Sequence, residues 1–253
     1  MDLEACSMGV SLTNVHKHQP NRRKIVLSTL SNKELAVYVT RQVSYFFPDD
    51  LSSSENEIER MIEVVMERVN ICFSAINNRY FQVEGQSCFN HLHSDQYAMF
   101  LYFLSNTTYR EGVNTRLCEK LFYLNKLLNG IDVFYEVELP DIFVFSHPIG
   151  AVLGRAKYSN YFLVSQECTV GAAREAEAGK KSVYPVIGKY CAMYKGASIL
   201  GNCNVGDNCK ISAHSLLIDQ DLEAHSIYIG TRLNHIIKEN RAHDNIWGNE
   251  QYE

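Results

Sequence analysis

Aliphatic residues recur every six positions in the C-terminal half of this chain: Ile187, Met193, Ile199, Val205, Ile211 and Leu217. Two positions before each stands a small or compact residue, in turn Pro185, Cys191, Ala197, Cys203, Cys209 and Ser215. A period of six is neither the 3.6 of a helix nor the 2 of a strand. It suits short flat parallel strands wound into a coil of three faces, with about six residues to a face and about eighteen to a coil, the aliphatic side chains stacking in ladders. Upstream, Val152, Tyr158, Val164 and Val170 keep the spacing, with Gly150, Ala156, Phe162 and Cys168 two positions before them. There Leu153 competes with Val152 for the inward position. The stretch 172–184 interrupts the period with charged and small residues and reads as a loop thrown out from one corner.

Glycine follows the same division. Of 14 glycines in 253 residues, only Gly9, Gly85, Gly112 and Gly130 precede residue 141. The first half reads instead as helices. Ser54 and Glu57 have capping-box spacing ahead of Ile58, Met61, Ile62, Val65, Val69 and Cys72, which share one helical face. A second helix carries Tyr97, Phe100, Leu101 and Leu104 behind a Ser94 cap. A third places Leu117, Leu121, Leu124 and Leu128 on one side and ends at Gly130, which suits the left-handed position after a helix. The expected organisation is a helical region over 1–135, with 1–25 a flexible lead, then a β-helix over 136–240 and a tail over 241–253.

The remaining global features exclude several classes. A net charge of −5, with the short basic run Asn21–Lys24 as the one local cluster, does not suit a protein held to nucleic acid by phosphate contacts. The opening residues lack a cationic stretch followed by an apolar one, and no window approaches a membrane-spanning length, so neither export nor a membrane span is expected. Eight cysteines, at 6, 72, 88, 118, 168, 191, 203 and 209, include no CxxC pair and read as reduced thiols of a cytoplasmic protein. Cys168, Cys191, Cys203 and Cys209 fall in the small-residue slot and are expected as buried packing residues. His91 and His93, with Asp95 nearby, form an HxH segment. Two histidines fall short of the three or four ligands a metal needs, and no metal site is expected; a place in an acceptor pocket is the functional alternative.

Ser146-His147-Pro148-Ile149-Gly150-Ala151-Val152-Leu153-Gly154, Gln166 to Gly171, Tyr184 to Gly188 and Gly196 to Asn202 together resemble the hexapeptide-repeat acyltransferases, in particular their serine acetyltransferase-like branch. The resemblance implies an α+β protein, with an N-terminal α-helical domain followed by a left-handed parallel β-helix. It implies acetyl-CoA as co-substrate and a homotrimer or dimer of trimers with sites between neighbouring β-helices. His147 matches the family's catalytic histidine, the general base that takes the proton of an acceptor hydroxyl as it attacks the thioester. Ser146 precedes it where the family has Asp, and Val183 and Tyr184 stand where the family has an Arg and a second His.

With those charged partners absent, the expected acceptor is a sugar or nucleotide-sugar of surface polysaccharide biosynthesis, which would meet Tyr184, His91, His93 and Asp141. Serine O-acetylation in an altered pocket, N-acylation of an amino-sugar, and a non-catalytic trimeric scaffold are the alternatives. By the same resemblance Gly171, Ala172, Ala173, Lys195, Gly196 and Ala197 line the pantetheine arm of coenzyme A, and Arg232 and Lys238 meet its phosphates. Arg174, Lys180 and Lys181 on the loop read as a solvated charge run.

Overall fold

The computed structural model describes residues 25–49, 55–173, 183–241 and 246–247. Ser54, the basic run, the loop charges Arg174, Lys180 and Lys181, and Cys6 lie outside the described residues.

Among the described residues four helices precede the solenoid: α1 (Asn32–Phe46), α2 (Glu55–Ser74), α3 (Ser94–Arg110) and α4 (Thr115–Asn129). Sequence periodicity leaves α1 unassigned, although Ser31 and Glu34 close a reciprocal capping box at its start. Its Leu35, Ala36, Val39 and Val43 are buried. On α2 the expected face is the buried one, from Ile58 to Cys72. The last of the four, α4, starts on Asn114, whose side chain accepts from Leu117 N–H at 3.1 Å. It stops at Gly130, where φ is +65° and a side chain would be strained.

Helix α3 is buried all round, from Asp95 to Thr108. Such a helix must pair every polar group it buries. Gln96 donates to Tyr80 O at 2.6 Å and accepts from Asn90 N–H at 2.7 Å. Asn106 donates to Tyr135 O at 2.8 Å, while Tyr102 donates to Val137 O and accepts from Leu139 N–H, both at 2.8 Å. Those bonds tie the segment leading into the solenoid to the middle of α3. Phe103 and Tyr102 then meet Phe143 of the first solenoid strand, ring to ring, at 5.1 and 5.6 Å. One continuous apolar core therefore runs from the helices into the coil. A small sheet of β1 (Leu27–Ser28), β2 (Gln82–Val83) and β3 (Gln86–Phe89) closes the outer side.

The solenoid has the three faces that the period of six requires. One stacks β4 (Phe143–Ser146), β7 (Phe162–Ser165), β10 (Ala192–Met193) and β13 (Lys210–Ile211). The next stacks β5 (Val152–Leu153), β8 (Thr169–Gly171), β11 (Ser198–Leu200) and β14 (Leu216–Ile218). The third stacks β6 (Lys157–Tyr158), β9 (Val186–Ile187) and β12 (Asn204–Val205). All these pairings are parallel, and the coil is a left-handed β-helix. Ile199 pairs with Leu217, eighteen positions on, whereas Val170 pairs with Ile199, twenty-nine positions on. The difference is the stretch inserted between β8 and β9, on either side of which the ladders keep their register. Val152 is 44% exposed and Leu153 is buried, so Leu153 takes the inward place and pairs with Val170. A hairpin of β15 (Ser226–Thr231) and β16 (Asn234–Glu239) ends the coil.

Candidate active site

The corner between the first two faces carries the candidate site. Strand β4 ends at Ser146, and His147 follows with φ +52°, a left-handed conformation unusual for a residue with a Cβ. Its side chain is 81% exposed. Helix α3 begins beside it, and Asp95 in the first turn accepts the His147 backbone N–H through Oδ2 at 3.0 Å. The same oxygen lies 3.9 Å from His147 Nδ1. The Asp95 carboxylate is otherwise nearly enclosed, with the Ser94 hydroxyl 3.5 Å from its second oxygen.

An open cleft of about 230 Å³ lies here, lined by Ser94, Asp95, Leu128, Asn129, Gly130, His147, Pro148 and Ile149. The turn that ends α4 forms its other wall, held by Gly150 N–H donating to Gly130 O at 2.8 Å. Leu128, expected on the buried stripe of α4, is 41% exposed because it faces this cleft. Apolar walls around one imidazole and one carboxylate can seat a small hydroxylated molecule and remove a proton from it.

The structure distributes the other expected site residues differently. Ser146 is half-buried at the end of β4, directly before His147. His91 turns away from the cleft: its Nδ1 lies 2.8 Å from Thr29 Oγ1 and its ring packs on Tyr38 at 5.1 Å. Burial lowers its pKa below the ordinary histidine value. His93 packs against Tyr80 and Phe81 at 5.7 and 6.1 Å, and its Nδ1 is buried with no hydrogen-bond partner among the described residues. Segment 89–95 therefore brings its carboxylate to the site, and its histidines pack elsewhere. His91 and His93, expected in an acceptor pocket, are not among the residues that line this cleft. Among the described residues no group of three or more His, Cys, Asp or Glu is placed to hold a metal.

Asp141, also expected beside the acceptor, does not line this cleft. It precedes β4 whereas His147 follows it, about 20 Å apart at the rise of an extended chain. It lines a polar depression with Arg110, Glu138 and Asn160 instead. Tyr184 stands at the corner between the second and third faces, beside Arg155, whose guanidinium also bonds Glu136 at 3.0 Å. Neighbouring Val183 is exposed.

Lys195, Gly196 and Ala197 lie at the same corner as His147, farther along the coil, and Lys195 is exposed. Gly171, Ala172 and Ala173 lie at the next corner, half-buried. The two groups are joined by the width of β8 and β11, about 10 Å. Gly196 N–H donates to Gln166 O and Ala197 N–H to Tyr194 O, both at 2.9 Å. The first of these amides is spent on the neighbouring coil and the second on the turn. Arg232 and Lys238 are exposed on the terminal hairpin. Along the ladder Phe145, Val164, Met193, Ile211, Tyr228 that end is about 19 Å from the coil of His147.

A left-handed β-helix entered through a packed helical region, with a histidine exposed at its first corner, defines a hexapeptide-repeat protein. In fold and in local sequence the chain is serine acetyltransferase-like. It superposes on the serine acetyltransferase of Neisseria gonorrhoeae with a TM-score of 0.65 at 17% identity, covering 86% of this chain and 83% of that one. The Vibrio cholerae enzyme gives 0.63 at 20% identity, covering 84% and 80%. A serine acetyltransferase in complex with CoA gives 0.61 at 17% identity, covering 83% and 86%. In sequence, the serine acetyltransferase of Synechococcus elongatus is 29% identical over 99 residues, a stretch that spans 39% of each chain. No protein-family model matches.

Proposed function

We propose that this chain is an acetyl-CoA-dependent O-acetyltransferase of the serine acetyltransferase type, with His147 as general base. The observation that carries this reading is an accessible imidazole with a carboxylate beside it, in the cleft at the first corner of the coil. In the reaction His147 takes the proton of the acceptor hydroxyl while that oxygen attacks the thioester carbon. The tetrahedral oxyanion collapses, the C–S bond breaks, and the imidazolium returns the proton to the leaving thiolate.

The preferred acceptor is serine, supported by the likeness to serine acetyltransferases in fold and local sequence. The expectation of a sugar or nucleotide-sugar rested on charged partners missing at Ser146, Val183 and Tyr184, and Asp95 weakens that premise by supplying a carboxylate from α3. The two corners flanking β8 and β11 give an arm of coenzyme A a track bordered by Gly171, Ala172, Ala173, Gly196 and Ala197, with Lys195 beside it. Arg232 and Lys238 stand far enough from His147 to meet only the phosphate end. Tyr184 and His147 occupy different corners of one chain, which favours a site completed by a neighbouring copy in a trimer.

The test is thiol release from acetyl-CoA with serine, amino-sugars and nucleotide-sugars as acceptors. Serine is expected to accelerate release, and His147→Ala to lower kcat at least about a hundredfold. Acceleration by sugars alone returns the sugar reading. Absence of coenzyme A binding in calorimetry leaves the scaffold reading.

A further inference from the structure

We propose that Asp95 is the positioning residue for His147: it stands in for the carboxylate that Ser146 cannot supply and fixes the imidazole with Nδ1–H inward and Nε2 toward the cleft. The inference rests on the proposed role of His147 as base.

Three observations carry it. Asp95 Oδ2 already accepts the His147 backbone N–H at 3.0 Å, which anchors the Cα of a residue held at φ +52°. The same oxygen is 3.9 Å from Nδ1, and because the imidazole is 81% exposed, a small rotation about its side-chain bonds brings Nδ1 to hydrogen-bonding distance without moving the backbone. The carboxylate itself cannot move in the same way, because it is only 11% exposed and belongs to the first turn of a fully buried helix. A rigid anion beside a mobile imidazole selects one tautomer. The ring nitrogen facing a carboxylate carries the hydrogen, which leaves the opposite nitrogen as the free acceptor of a proton. When Nε2 takes the acceptor's proton, the imidazolium forms against a fixed negative charge, a stabilisation that the neutral Ser146 hydroxyl does not provide.

Chain topology explains why the substitute comes from so far away. Asp95 and His147 are 52 positions apart and meet because α3 begins against the first corner of the coil and runs from there through the core. The bonds from Tyr102 and Asn106 to segment 135–139 hold that helix in place relative to β4.

Asp95→Asn separates charge from structure, since an amide oxygen can still accept the backbone N–H. With serine as acceptor, kcat is expected to fall about tenfold to a hundredfold while the KM for acetyl-CoA stays within about twofold, and Asp95→Glu recovers most of the loss. In protein labelled with ¹⁵N-histidine, the His147 ring of the wild type and of Asp95→Glu is expected as the Nδ1–H tautomer at about pH 8, with Asp95→Asn shifting toward Nε2–H. His147→Ala assigns the signal. An Asp95→Asn protein whose His147 tautomer ratio equals that of the wild type overturns the proposal, whatever its rate. A wild type inert toward every acceptor overturns the proposed activity instead, and the tautomer comparison still decides the part played by Asp95.

Discussion

His147 and His91 carry the same side chain, and their surroundings give them opposite uses. His147 projects into an open cleft, whereas His91 is wedged between Thr29 and Tyr38, where desolvation lowers its pKa from the ordinary 6.5. As pH falls through 6.5 the unfolded chain takes up a proton that the folded chain still refuses, so folding stability is expected to fall between 6.5 and the lower folded value. Thermal melts from about pH 8 to 5 check this, and His91→Gln should flatten the slope in that window. Of the two, His147 is legible in the sequence because the residues after it carry a motif. Asp95 can be seen as a carboxylate next to an HxH segment, but its use cannot, because a local window contains neither β4 nor the corner it faces. Leu128 shows the same limit, since helical periodicity assigns it to the core while the site exposes it.

At the scale of the element, the coil turns its corners with more than glycine. Glu167 and His214 at the His147 corner, and Tyr161, Tyr190, Asn208 and His225 at the corner between the third and first faces, all have positive φ. Each is expected to cost about 1 kcal/mol, offset by stacking on the next coil, as in the parallel rings of Tyr161 and Tyr190 4.2 Å apart. Gly206 answers a different need: an added Cβ would meet Ala224 N at 2.5 Å. Gly196 combines both, with φ +69° and an added Cβ 2.7 Å from His214 Nδ1. Gly196→Ala is therefore expected to lower stability by about 2 kcal/mol, against about 1 for Gly112→Ala, where φ is +64° and nothing lies within 4 Å. Adding His214→Ala should return the difference, measured by denaturant melts as a double-mutant cycle. The small-residue slot is legible from spacing alone. Cys168, Cys191, Cys203 and Cys209 are all buried and free, and burial pushes the Cys168 and Cys203 thiols up. Native protein is expected to leave these four largely unreacted with a thiol reagent that labels them fully after unfolding; fast reaction of all four would overturn that placement.

For the whole molecule, one chain holds an imidazole and carboxylate at one corner, a small-residue track that runs from that corner to the next, and Tyr184 at the next. A trimer is the proposed solution, and light scattering should give three times the 28.9 kDa chain mass or a multiple of it; a monomer active toward serine would overturn it. Exposed Leu233, Ile236 and Ile237 on the terminal hairpin offer apolar surface to such an assembly. Among the described residues no helix is long and apolar enough to cross a membrane. By itself the sequence determined the solenoid, its corners and the place of His147 at one of them, because a six-residue repeat makes each coil a copy of local rules that neighbouring coils reinforce. The helical region obeys no such repeat. Where α3 begins against the coil, which carboxylate meets His147 and which leucine is left open to the cleft were decided only by tertiary packing, because contacts between residues 52 positions apart depend on how a whole helix is held against the coil.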